Sequence, residues 1–288
     1  VLRAWAMSVG CPYPHEMSTD ILCTAAAVHG DVRVLRCALE AGCPVERAEG
    51  SDTDIHSYYS GTRSATIRTA AANGHNNYIV AAIESGFLAR QIHPVLVPEG
   101  KSSRTFCIDE SPRAGITVER LARLAPAFQA DGKVTAGNAS GVTDGAAAIP
   151  VGSKESLMSA GIKPIARIVD WAVVGVEPSL MGHGPVPAIE QCLRRTGQAI
   201  SDIDYFEINE AFAVVNLHVE AQLGIPRDRH NLYGGGISVG HPPGVTGLRM
   251  MLNATQHLQE TGTRFAMLAM CMGAGQGMAM LIENADYA

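Results

Sequence analysis

Tyr205-Phe206-Glu207-Ile208-Asn209-Glu210-Ala211-Phe212-Ala213-Val214-Val215-Asn216-Leu217-His218-Val219-Glu220-Ala221-Gln222-Leu223-Gly224 begins as a short apolar run and continues with a helical period. Tyr205 to Ile208 fits a buried strand, and from Asn209 to Leu223 the residues Phe212, Val215, Val219 and Leu223 share one helix face. The same alternation recurs outward. Ile165 to Val176 and Phe265 to Met272 read as strands of the buried kind, the first broken only by Asp170. Gly184 to Gly197 places Val186, Ile189, Cys192 and Leu193 on one face and stops at a glycine. Thr246 to Leu258 does the same with Leu248, Met251, Leu252 and Leu258. From Gln91 onward the texture is α/β, with helices packed on a sheet.

The first 76 residues read differently. Gly10-Cys11-Pro12 recurs as Gly42-Cys43-Pro44, a spacing typical of solenoid repeats. Between them, Ile21 to Gly42 reads as two short helices broken at His29-Gly30, small residues on the first and Val and Leu on the second. This segment resembles an ankyrin repeat, the alternative being an unrelated helical hairpin. A poorer match starts at Thr69, after a polar insertion from Glu46 to Ser64. One whole repeat with fragments beside it is expected to be marginal alone, because solenoid units bury their core only against neighbours.

Composition excludes several function classes. A hydrophobic content of 47% predicts a globular protein with a buried core. The net charge of −6 carries no block of Lys and Arg, which argues against nucleic-acid binding. The longest apolar run, around Phe265 to Met272, is too short to span a bilayer, so no membrane segment is expected. The seven cysteines form no CxxC and no metal-ligand spacing, and read as reduced thiols of an intracellular protein. Val1 opens the chain without a secretory or organellar leader pattern. No metal and no permanently bound cofactor is implied.

Five small-residue segments each hold one reactive side chain. Val134 to Ala148 lets a ligand lie against backbone and offers the Ser140 hydroxyl, though a tight loop feeding a strand is the plainer reading. Met181-Gly182-His183-Gly184-Pro185-Val186-Pro187 reads as a helix start with proline in its first turn, and His183 as structural. Asn209 stands where a strand meets a helix, a place suited either to an oxyanion donor or to a helix cap. Gly234 to Gly244 packs five glycines, two prolines and His241 into one loop, where an imidazole can activate a thiol. Cys271-Met272-Gly273-Ala274-Gly275-Gln276-Gly277 ends an apolar strand in a glycine turn, suited to proton exchange at the thiol, or else to a buried core cysteine.

The order and spacing of Thr135, Asn209-Glu210-Ala211-Phe212, Gly240-His241-Pro242 and Cys271-Met272-Gly273-Ala274-Gly275 resemble a thiolase over roughly Ile83 to Glu283. Ala166-Arg167-Ile168 and Met181 to Ile189 are most similar to 3-ketoacyl-CoA thiolases of fatty-acid β-oxidation, with the acetoacetyl-CoA type close behind. The resemblance implies a five-layered αβαβα fold. Three regions follow: an all-α ankyrin-like segment at 1–76, part of a thiolase loop region at 77–130, and a thiolase C-terminal domain, a mixed sheet layered with helices, at 131–288. It implies that His241 activates the nucleophile and helps form one oxyanion hole, with Asn209 positioning that hole's water. Cys271 would be the second cysteine, the acid and base, and Gly273 a backbone donor of the second hole. Arg113, Leu124, Phe128, Ala136, Ser140 and Phe212 would line coenzyme A, which enters as free CoA or acyl-CoA substrate. A mitochondrial or peroxisomal setting is implied by the family, otherwise a cytoplasmic one.

The sequence departs from the family in one respect. The nucleophilic cysteine of a thiolase stands in a Cys-[Gly/Ser]-Ser-Gly turn, whereas Cys23 is followed by Thr-Ala-Ala and Cys37 by Ala-Leu-Glu. The chain is therefore expected to be impaired alone or dependent on a partner, since covalent catalysis needs the acceptor thiol. The expected partners are a second copy, a complementing thiolase chain, or a protein bound through the ankyrin-like segment. A non-catalytic CoA-binding or interaction module is the alternative.

Overall fold

The computed structural model describes residues 82–113 and 116–287, so the ankyrin-like reading of residues 1–76 lies outside the described residues. A hairpin of β1 (Val95–Glu99) and β2 (Ser102–Phe106) comes first, followed by two short helices, α1 (Val118–Ala122) and α2 (Lys154–Ser159). Both helices are capped as their sequences dictate: Thr117 and Ser153 accept the Arg120 and Ser156 N–H groups. The remainder runs β3 (Ala166–Gly175), α3 (Pro185–Thr196), β4 (Tyr205–Ile208), α4 (Ala213–Leu223), α5 (Thr246–Thr261), β5 (Phe265–Met272) and β6 (Gln276–Asn284).

These strands form a mixed sheet in the order β3-β6-β5-β4, with β4 and β5 parallel and the other pairs antiparallel. Strand alternation divides its side chains between two helical layers. Phe265, Met267, Ala269 and Cys271 pack against α3 and α4, with Ile189, Cys192, Val215 and Val219. Ala266 and Leu268 point the other way, onto Met250, Ala254 and Leu258 of α5. Fully burying a side chain such as Ile189, which is 0% exposed, stabilises the fold by about 1.5–3 kcal/mol. The α3 face is the one its periodicity marks, and Gly197 ends the helix at φ 69.

Two sequence expectations need correction. Ile165–Val176 is not a buried strand: among the described residues β3 lies at the sheet edge, and Trp171 and Val173 are 57% and 55% exposed. The helix expected from Asn209 starts at Ala213, with Phe212 extended at its cap. Residues 209–211 are irregular backbone instead, and Phe212 pairs with Ala139 as an isolated bridge. The Asn209 N–H is donated to the Ala269 carbonyl, Ser140 N–H to the Ala211 carbonyl, and Ala213 N–H to the Asn138 carbonyl. β6 was not anticipated at all, because Gln276-Gly277-Met278-Ala279-Met280 carries glycine and polar character at its start.

Candidate active site

Asn209 follows Ile208 on β4, and Cys271 stands two residues beyond Ala269 on β5; Ile208 and Ala269 are partners in the parallel ladder. Both side chains therefore stand at the carboxyl ends of neighbouring parallel strands, where open α/β sheets present their chemistry. Asn209 is 3% exposed and is no helix cap, since α4 begins four residues later. Its Oδ1 is buried without a hydrogen-bond partner, an acceptor that a bound water would satisfy.

The segment 138–143 forms a rail between the strand ends and the glycine loop. Ala139 bridges to Phe212, and Val142 to His241, whose backbone N–H is donated to the Gly141 carbonyl at 2.7 Å. Gly240 has φ +99 and would place a Cβ 2.4 Å from Thr143, so the turn before His241 requires glycine. The imidazole Nδ1 lies 2.7 Å from Thr246 Oγ1, and that hydroxyl donates its hydrogen to the Pro242 carbonyl at 3.0 Å. Thr246 thus fixes the orientation of the His241 ring, and a ring that accepts or donates at Nδ1 can exchange a proton at its other nitrogen.

Cys271 is buried, and desolvation pushes its thiol up to about 11. At neutral pH it holds its proton. Reaching the thiolate unaided at pH 7 would require about 5 kcal/mol. Beyond it the strand closes through Gly273-Ala274-Gly275, where Ala274 and Gly275 have φ 65 and 77. Gly275 is wedged against the Val176 carbonyl, to which a Cβ would come within 2.3 Å. The glycine spacing that marks this turn in the sequence thus has a steric cause.

The ligand-lining expectations divide. Phe128 and Phe212 meet edge to face with centroids 6.4 Å apart, and Ser140 donates its hydroxyl to the Ala211 carbonyl at 3.3 Å beside them. Leu124 and Leu121 close over Gly137, next to Ala136. Leu124, Phe128 and Ala136 are exposed, forming an open apolar flank. Arg113 is exposed at the border of the described residues. A cavity of about 1090 Å³ opens beside α5 and the His241 loop, lined among others by Thr143, Gly240, Pro242, Val245, Arg249 and Asn253; Cys271 and Asn209 do not line it.

Sequence reasoning missed Thr246, which fixes the imidazole; a hydroxyl at the first position of the next helix was the available signal. It also left His183 without a partner. The structure supplies one in His218 of α4, with Nδ1 and Nε2 2.9 Å apart.

Asn209 and Cys271 at the ends of neighbouring parallel strands, on a mixed sheet packed between helices, give the chain an α/β fold with its polar and thiol groups at one sheet end. Residues 162–284 match the thiolase C-terminal domain and residues 55–155 the thiolase N-terminal domain, the latter beginning inside the segment read as ankyrin-like. The acetyl-CoA acetyltransferase of Escherichia coli (strain K12) is 44% identical over 204 residues, covering 71% of this chain and 52% of that protein. The Bacillus anthracis acetyl-CoA acetyltransferase structure superposes with a TM-score of 0.72 at 42% identity, covering 77% of this chain and 56% of the other. Human mitochondrial 3-ketoacyl-CoA thiolase in complex with CoA gives 0.71 at 38% identity, covering 77% and 55%. The chain belongs to the thiolase family. It spans about half the length of the relatives it matches.

Proposed function

We propose that the chain is the acid/base half of a thiolase-type acyl-CoA C-acyltransferase, acting on 3-ketoacyl-CoA and acetyl-CoA with a nucleophilic thiol brought by a complementing thiolase chain. The observation that carries this reading is the placement of Asn209 and a buried, protonated Cys271 at the carboxyl ends of neighbouring parallel strands, with the loop that leads to His241 held by the carboxyl group of Glu210, next to Asn209.

In thiolysis, His241 Nε2 takes the proton of the nucleophilic thiol, whose sulfur attacks the 3-keto carbonyl. The imidazolium Nε2–H and a water on Asn209 Oδ1 then stabilise the oxyanion. Its collapse breaks the C2–C3 bond, and the electron pair left on C2 takes the Cys271 proton as acetyl-CoA departs. The incoming CoA thiol returns a proton to the Cys271 thiolate and attacks the acyl thioester, releasing acyl-CoA and the nucleophile. Backbone N–H groups of the turn at Gly273 would hold the second oxyanion, and Ser140, Phe128 and Phe212 the pantetheine. Leu124 and Ala136 extend that flank, and Arg113 is assigned to the adenine end on sequence resemblance alone.

The need for a complementing chain rests on the cysteines: none of the seven stands in a Cys-[Gly/Ser]-Ser-Gly turn. The exposed apolar residues of β3, Ile168, Trp171 and Val173, would give that half a place to pack. A protein partner at residues 1–76 is a separate expectation, resting on the repeat pattern.

The test is thiolysis of acetoacetyl-CoA and a longer 3-ketoacyl-CoA by the purified chain, with and without a separately produced N-terminal thiolase half. Turnover that appears on addition and is lost in Cys271→Ala is expected. Turnover by the chain alone would remove the complementing half from the scheme, and a sample that binds CoA but never turns over would establish a CoA-binding module instead.

A further inference from the structure

Glu210 has no chemical step in this scheme, yet it is only 1% exposed, follows Asn209 directly and meets the loop that leads to His241. We infer that Glu210 is a positioning residue whose carboxyl group sets the His241 loop against Asn209. Its catalytic meaning rests on the acyltransferase reading above, while its structural part stands apart from it.

On one side Glu210 is tied to the sheet. The Asn209 N–H is donated to the Ala269 carbonyl at 2.9 Å, which anchors the backbone immediately before it. Asn231, fully buried at φ 48, accepts the Ile208 N–H and donates to the Ile208 carbonyl, both at 2.8 Å. Its Nδ2 also lies 3.5 Å from Glu210 Oε1, at the limit of a hydrogen bond.

On the other side the carboxyl group holds the loop. Glu210 Oε2 accepts the Ile237 N–H at 2.9 Å. The glycines are cut to fit around it. A Cβ at Gly235 would lie 2.5 Å from Glu210 Cδ, and one at Gly236 3.2 Å from the Glu210 carbonyl oxygen and from Ser140 Cβ. Neither glycine has a positive φ, so space rather than backbone freedom requires them. The loop so held is stiff: Val239 N–H is donated to the Gly235 carbonyl at 2.9 Å and Gly235 N–H to Ser238 Oγ at 3.0 Å. Two residues further it delivers His241 to the Gly141 carbonyl. A carboxyl group is unfavourable in such a place unless its hydrogen bonds matter. Catalysis is sensitive to such placement, since a shift of about 1 Å can cost about 100-fold in rate.

The experiment uses the full chain and its Glu210→Ala and Glu210→Gln variants, followed by amide hydrogen exchange and by the imidazole resonances of histidine-labelled protein. In Glu210→Ala the amides of residues 237–239 should exchange at least about tenfold faster relative to those of β5 and β6, with a shifted His241 imidazole signal. Glu210→Gln, which keeps an acceptor for Ile237, should lie near wild type. With the complementing half present, kcat should fall about 10–100-fold in Glu210→Ala with KM little changed. Unchanged loop exchange, an unchanged His241 signal, or a rise shared equally by the sheet would overturn the inference. If Glu210→Ala does not fold, Gly235→Ala, which pushes the carboxyl group off the loop, decides: protection of Ile237 as in wild type overturns it. Failure of the acyltransferase reading would show separately, as no turnover in the complemented wild type.

Discussion

Gly277 faces Gly184 across a gap that leaves no room for a methyl group: a Cβ on Gly277 would lie 1.9 Å from the Gly184 carbonyl oxygen. This contact seats the Pro178–His183 segment against the strand partner of Cys271. Gly277→Ala should therefore destabilise the chain by about 3 kcal/mol, a strain that cannot relax into solvent, and urea unfolding would show it as a lower midpoint at unchanged m-value. At this scale much was legible beforehand. Gly240 before His241, and the glycines after Cys271, announce backbone demands that the structure bears out with positive φ at Gly240 and Gly275. Asn209 was ambiguous because both a cap and an oxyanion donor need the same short amide. Only the backbone pairing of residues 209–213, formed with a segment some seventy positions away, separates the two, and no local pattern encodes that.

Among elements, β3 shows where periodicity falls short. Ala166-Arg167-Ile168-Val169-Asp170-Trp171-Ala172-Val173-Val174-Gly175 is apolar enough for a central strand, yet only Ala172 of it is buried, at 1% exposure. Apolar content reports that both faces can be covered, not that they are. α3 packs on one face; on the other, Ile168, Trp171 and Val173 are exposed. Exposed edges and apolar faces promote association. Trp171→Glu is expected to lower the apparent mass in light scattering at high protein concentration while shifting stability by no more than about 0.5 kcal/mol. Helix α3, by contrast, was legible almost to the residue, because proline at its start and glycine at its end mark the limits that its apolar stripe fills.

Across the whole molecule, two buried titrations oppose each other. Burial, helped by the neighbouring His183, pushes His218 down to about 4 from 6.5. In the unfolded chain it would take up a proton below pH 6.5, so its contribution to stability is lost as pH falls from 6.5 towards 4. Glu207, fully enclosed between β4 and α5, is pushed by burial up to about 7 from 4.5, despite donation from Tyr205 and from Asn253 Nδ2 at 3.2 Å. The folded state holds its proton where the unfolded state does not, so this contribution is present below pH 4.5 and is lost as pH rises through 7. Each is worth up to about 3 kcal/mol, and between pH 4.5 and 6.5 they nearly cancel. His218→Gln should make the chain gain stability on acidification over that window, and Glu207→Gln should make it lose stability; unfolding midpoints from pH 4.5 to 7 would give the two slopes.

The pairing of β3 with β6 joins Ala166 to Asn284 and Gly175 to Gln276. On the ribosome, β3 emerges before the rest of its sheet, and β6, its neighbour there among the described residues, follows only after α3, β4, α4, α5 and β5. At about 5–20 residues per second, the strand that carries Trp171 must wait several seconds for β6. During that interval its backbone donors and its apolar face are both open, so the nascent chain calls for chaperone cover before the finished domain does.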